Sequence, residues 1–90
     1  MTVTRSDDSG PVSTTDLDCA GADAAVCARV VRLLPDLRPK PYEACTQIYG
    51  GPERISVRGT VDGTPVRVEV TRTNGCEIAR YEMLDAALKG

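Results

Sequence analysis

Ile55-Ser56-Val57-Arg58-Gly59-Thr60-Val61-Asp62-Gly63-Thr64-Pro65-Val66-Arg67-Val68-Glu69-Val70-Thr71 is the stretch from which the fold is read. Ile55, Val57 and Val61 alternate with Ser56, Arg58 and Thr60, and Val66, Val68 and Val70 alternate with Arg67, Glu69 and Thr71. A period of two sends successive side chains to opposite faces, so both runs are strands with one apolar and one polar side. Between them Asp62-Gly63 tolerates positive φ at both central positions of a tight hairpin turn. An apolar sheet face has to be covered, and the rest of the chain must supply the cover.

Downstream, Thr73-Asn74-Gly75 breaks the second strand. Glu77 to Lys89 then brings Ile78, Tyr81, Leu84 and Leu88 to one side of an amphipathic helix, closed by Gly90. Upstream, Ala24 to Leu34 places Cys27, Val30, Val31 and Leu34 at helical spacing, with Arg29 and Arg32 pointing away. Asp23 reads as the N-cap of that helix and Pro35 as its stop. Pro35, Pro39 and Pro41 are expected to hold the chain extended from Leu34 to Tyr42. At the amino terminus, Met1 to Arg5 and Val12 to Cys19 read as short strands around the turn cluster Ser6–Pro11, the second near an edge because it is acidic. The expected architecture is a single α+β domain over residues 1–90. It has an antiparallel β-sheet of about four to five strands with two α-helices packed on one face.

With ninety residues, no Phe, no Trp and three Tyr, the core is small and short of aromatic area. Covalent staples are the usual compensation, and an even count of four cysteines points to two disulfides and an oxidising compartment. Cys19 lies just before the first helix and Cys27 on its buried side, so these two are within reach of each other. Closing so short a loop is worth about 2–3 kcal/mol in the chain-entropy model. Zinc is the rival use, but the spacings contain no C-x-x-C pair and the chain has no His. The missing His also removes most nucleophile–base catalysis, so the chain reads as a non-enzyme without metal or cofactor. Eleven basic residues are scattered among thirteen acids for a net charge of −2, with no basic stripe for nucleic acid. No apolar run approaches a membrane span, and no signal peptide is visible. Since disulfides require export, Met1 is expected to begin a mature domain whose leader has been removed.

Between the prolines and the hairpin lies Cys45-Thr46-Gln47-Ile48-Tyr49-Gly50-Gly51-Pro52. It starts at a cysteine able to bolt one end down, ends in Gly-Gly-Pro, and has no helical periodicity. Such a segment reads as an exposed loop held extended for a partner.

The stretch CTQIYGGPE (Cys45–Glu53), the hairpin ISVRGTVDGTPVRVEVTRTNGCE (Ile55–Glu77) and the pairs Cys19/Cys27 and Cys45/Cys76 resemble the Streptomyces subtilisin inhibitor family. The resemblance covers Val12 to Tyr81. It implies that Cys19 pairs with Cys27 and Cys45 with Cys76, in a secreted inhibitor of extracellular subtilisin-like and trypsin-like serine proteases. It implies further that Gln47 is the primary specificity residue and that Gln47–Ile48 is the scissile bond. Cys45 and Thr46 then line the cleft before the bond, Tyr49 and Gly50 follow it, and Asn74 supports the loop from behind. A homodimer through the sheet face bearing Arg58, Arg67 and Arg72 is also implied. Four features depart from the family pattern: Gly50-Gly51-Pro52 is one residue longer, Gln replaces the usual apolar or basic specificity residue, the amino-terminal hairpin is short, and the chain runs to its end as a helix where a further strand is expected. The alternative reading is a non-inhibitory extracellular binding module on the same scaffold.

Overall fold

The computed structural model describes residues 1–89. Its elements are β1 (Thr2–Asp7), β2 (Gly10–Asp16), α1 (Ala24–Leu33), a short 3-10 helix (Leu34–Leu37), β3 (Arg54–Val61), β4 (Thr64–Val70) and α2 (Gly75–Lys89). The valine alternation decides which way β3 and β4 face. Ile55 stands opposite Val70, Val57 opposite Val68 and Gly59 opposite Val66. The paired apolar residues therefore share one side, where Ile55, Val57 and Val70 are fully buried. Burying each such side chain contributes about 1.5–3 kcal/mol. At the hairpin tip Asp62 and Gly63 both have positive φ, 48° and 77°. That is the mirror-image turn whose twist matches the strands it joins.

β1 pairs with β3 through Val3 and Val57, and with β2 on its other side, so the antiparallel sheet runs β2-β1-β3-β4. β2 is the exposed edge, and Pro11 with the irregular register between Arg5 and Ser6 blunts it. Both amino-terminal strands begin and end away from the expected positions, because the turn between them tightens to Asp8-Ser9. On the open face Thr2, Arg58 and Arg67 form one cross-strand row, and Thr4, Ser56 and Glu69 the next.

The two helices cover the apolar face, and Val30, Leu37, Leu84 and Ala87 complete the core with Val3 and Val66. Arg29 Nε donates to the Ala87 carbonyl at 3.2 Å and joins the helices directly. Cys27 is fully buried and bonded to Cys19, pinning the segment after β2 to the start of α1. No helix among the described residues is long and apolar enough to cross a membrane.

Four local expectations are corrected. Pro35 does not stop the winding, since a proline in the first turn of a helix needs no N–H donor. The chain continues as the 3-10 turn and delivers Leu37 to the core, 3% exposed, before extending at Arg38. Asp23 does precede α1, but its carboxylate accepts from the Asp18 N–H (2.8 Å) instead of capping the helix. α2 begins at Gly75, because the Asn74 Oδ1 accepts from the Glu77 N–H at 3.0 Å and starts the helix earlier. Its buried stripe is Arg80, Leu84 and Ala87, flanked by Tyr81 and Leu88. The closing role read for Gly90 lies outside the described residues.

Asp85 ties α2 to the sheet: its carboxylate is 2.8 Å from Arg5 Nη2 on β1 and 2.8 Å from Lys89 Nζ. The bond from Lys89, aided by Arg5 and opposed by partial burial, holds the Asp85 carboxyl below its ordinary value of 3.8. A group with a lowered folded-state pKa stabilises fully above its unfolded-state value, and loses that contribution as pH falls through the folded-state value. Asp85→Asn is therefore expected to lower stability at neutral pH by less than about 1 kcal/mol, since both partners reach solvent. Near pH 2 the loss should shrink, which urea unfolding at the two pH values would check.

Candidate functional site

Cys45 to Gly51 is neither helix nor strand, yet it is held at both ends. On the first side Cys45 is disulfide-bonded to Cys76 in the opening turn of α2. Next to it the Gly75 N–H donates to the Thr46 carbonyl at 3.0 Å. The approach is close: a Cβ at residue 75 would overlap Thr46 Oγ1 and oblige that hydroxyl to rotate away.

On the second side Gly50 and Arg72 bond each other twice. The Gly50 N–H donates to the Arg72 carbonyl (2.7 Å), and Arg72 Nε donates back to the Gly50 carbonyl (3.1 Å). The guanidinium of Arg72 lies over the Tyr81 ring, 5.0 Å from its centroid, which fixes the side chain from beneath. Gly50 packs so closely on α2 that a Cβ would come within 2.8 Å of Ile78 Cδ1. Ile78, expected on the core stripe of α2, instead presents its end to the loop.

Between these clamps lie Gln47, Ile48 and Tyr49. Among the described residues no hydrogen bond engages their backbone groups. Ile48 is 59% and Tyr49 65% exposed, in a protein whose large apolar side chains are mostly covered. A loop backbone with free donors and acceptors, immobilised at either end, is what the edge of another protein's cleft can pair with.

A second layer lies under the first clamp. Arg80 is 5% exposed and makes ion pairs with Glu43 and with Glu77, the latter at 2.6 Å. Glu77 also accepts from Thr71 Oγ1 at 3.3 Å. Glu43 precedes Cys45 by two residues, so the approach to the loop is docked on the helix that carries Cys76. Glu43, Cys45 and Cys76 bring three ligand-type atoms together, but both sulfurs are committed to the disulfide and are not thiolate ligands.

The expected loop residues Cys45, Thr46, Gln47, Ile48, Tyr49 and Gly50 thus fall in one continuous segment, with the Gln47–Ile48 bond between the two clamps. Asn74 is placed differently from the expectation: its side-chain oxygen caps α2, and the bonds that reach the loop from this region come from Arg72 and Gly75. Arg72, Arg80 and Glu43 were missed as supports. One signal was available for Arg80, which sits four residues before Leu84 and seven before Ala87, on the stripe that meets the core. Nothing local marks Glu43 or Arg72.

Arg72→Ala removes one of the two bonds to Gly50 and the stacking on Tyr81. The expected loss is about 1–2 kcal/mol, together with faster hydrogen exchange of the Gly50 amide. Unchanged exchange there would show that the backbone bond to the residue-72 carbonyl, with Ile78 packing, holds the second clamp without the guanidinium. Compared with known proteins, the chain matches no family model, no curated protein and no solved structure.

Proposed function

We propose that the protein inhibits subtilisin-like serine endopeptidases by presenting Gln47–Ile48 as a bound substrate that is not released. The observation that carries the reading is the double clamp: Cys45 and Thr46 held by Cys76 and Gly75, Gly50 held by Arg72, and an exposed, unpaired backbone between them.

The chemistry follows from that geometry. In the cleft of a serine protease the nucleophilic oxygen attacks the Gln47 carbonyl carbon, the bond to the Ile48 nitrogen breaks, and the new amine takes up a proton. In an ordinary peptide the amine then diffuses away and water attacks the ester. Here the acyl side stays anchored by Cys45–Cys76 and the amine side by Gly50–Arg72. The amine remains at high effective concentration beside the ester, and the reverse attack re-forms the peptide bond with loss of that proton. Preorganisation also spares most of the ordering cost that a free peptide meets on binding. The two disulfides fit a protein that works outside the cell, and secretion is part of the proposal. Pairing of two copies through the open sheet face, where Arg58 opposes Arg67, is a separate proposal that sedimentation velocity decides.

The test is a titration of subtilisin with the protein, followed by mass spectrometry of the mixture. Stoichiometric loss of activity with slow cleavage confined to Gln47–Ile48 is expected. A neutral Gln suits neither a deep apolar pocket nor an acidic one, so Gln47→Met should tighten binding to subtilisin by about tenfold or more. Gln47→Lys should shift preference toward trypsin. Rapid cleavage without loss of activity would overturn the trapping mechanism in favour of a non-inhibitory binding module.

A further inference from the structure

Pro39-Lys40-Pro41 delivers the chain to Tyr42, and Glu43 then turns inward to its ion pair with the buried Arg80. Between Pro41 and Glu43 the backbone passes through Tyr42 at φ +60°. Left-handed backbone is comfortable for Gly or Asn and unfavourable for an aromatic residue, whose Cβ crowds its own carbonyl. A tyrosine held there would ordinarily be compensated by packing. Tyr42 has none, being fully exposed.

The surroundings make this more than one misplaced side chain. Among the described residues the exposed large apolar ones are Val12, Tyr42, Ile48, Tyr49 and Met83, and three of these five fall between residues 42 and 49. The backbone strain sits in the same segment as the cleavable bond, where strain is most often tied to function. Tyrosine is also the residue that proteins favour for anchoring at interfaces, since it offers a large rigid surface and a polar tip at low entropy cost.

We propose that Tyr42 is a second anchor for the target peptidase, seated at the far upstream end of its substrate groove, away from the residues around the cut. The inference rests on the reading of Thr46–Tyr49 as a cleft-binding loop. Four residues lie between Tyr42 and Gln47, five steps with a reach of at most about 18 Å along extended chain. The partner is therefore an endopeptidase whose substrate groove runs six positions upstream of the cut. It ends there in an apolar or cation-bearing spot that accepts a phenol ring. The Glu43–Arg80 ion pair turns the chain inward directly after Tyr42, so the backbone that carries the exposed ring is anchored on the inhibitor.

The experiment compares wild type, Tyr42→Asn and Tyr42→Phe as inhibitors of subtilisin, with melting temperatures measured on the same samples. Asn accepts the left-handed backbone, so Tyr42→Asn should melt at the same temperature or higher. Its inhibition constant should weaken about tenfold or more, chiefly through faster dissociation. Tyr42→Phe should stay close to wild type. Equal inhibition by wild type and Tyr42→Asn would overturn the second anchor and leave the cleft-binding loop intact. A lower melting temperature for Tyr42→Asn in step with weaker inhibition would assign Tyr42 a structural role and overturn it too. Failure of wild type to engage subtilisin at all would overturn this inference together with the reading beneath it.

Discussion

Cys45→Ala combined with Cys76→Ala is expected to convert the protein from an inhibitor of subtilisin into a substrate. The bridge closes a loop with a sequence separation of 31, and in the chain-entropy model its removal costs about 3–4 kcal/mol. For a domain of this size that corresponds to a fall in melting temperature of roughly 15–25 °C. The larger consequence is local. Without the bridge, the acyl side of a cut Gln47–Ile48 bond is held only by the Gly75–Thr46 hydrogen bond and the Glu43–Arg80 ion pair. Water then competes with a mobile amine, and turnover replaces trapping. The matched control is Cys19→Ala with Cys27→Ala, which also destabilises the fold but leaves both clamps on the loop. Below its own melting point that variant should still inhibit. The two variants, assayed by subtilisin titration at a temperature where calorimetry shows both folded, separate clamping from general stability. Stoichiometric inhibition by the Cys45/Cys76 variant would sink the clamp mechanism.

Arg80→Met should be the most damaging single substitution outside the apolar core. Among the described residues Arg80 is the one buried charged residue, and it neutralises two carboxylates, Glu43 and Glu77, that are themselves mostly covered. Methionine keeps the volume and removes the charge, which leaves two acids facing a site with no cation. Breaking a buried pair in this way costs about 3–5 kcal/mol, a large share of the roughly 5–15 kcal/mol that holds a small domain together. The same principle predicts a rescue: adding Glu43→Gln and Glu77→Gln removes the stranded charges and should recover much of the loss. Urea unfolding of the single and triple variants checks both steps. A single variant within about 1 kcal/mol of wild type would show that Arg80 is bystander packing and not the keystone of the loop approach.

These two sites differ in how visible they were beforehand. The hairpin from Ile55 to Thr71 could be read directly, because a strand's facing is set by neighbours two residues apart and its turn by Asp62-Gly63 alone. The helices were legible for the same reason, with end points moved by one or two residues where Asn74 and Pro35 took roles that neighbouring residues alone do not settle. The Cys19–Cys27 bond was accessible because both residues border one helix. The loop itself stood out as a segment without periodicity between a cysteine and Gly-Gly-Pro.

What holds that loop was not visible. Arg80 lies 37 residues from Glu43 and Arg72 lies 22 residues from Gly50. No local pattern links either pair: the spacing of Arg80 to Leu84 and Ala87 marks its face but not its partner, and Arg72 looks like an ordinary surface charge in its own neighbourhood. They meet because α2, started at Gly75 by the Asn74 cap, lies against β4 with Arg80 turned inward and Ile78 turned toward Gly50. The left-handed Tyr42 belongs with them, since no turn residue at that position marks it in the sequence. The amino-acid sequence by itself determined the elements, their apolar faces and the existence of an exposed cysteine-bounded loop, because these depend on spacing along the chain. Only the tertiary structure decided which charges are buried, which backbone groups clamp the loop and which side chains are left standing in solvent, because those depend on distances that close only when the helices pack on the sheet.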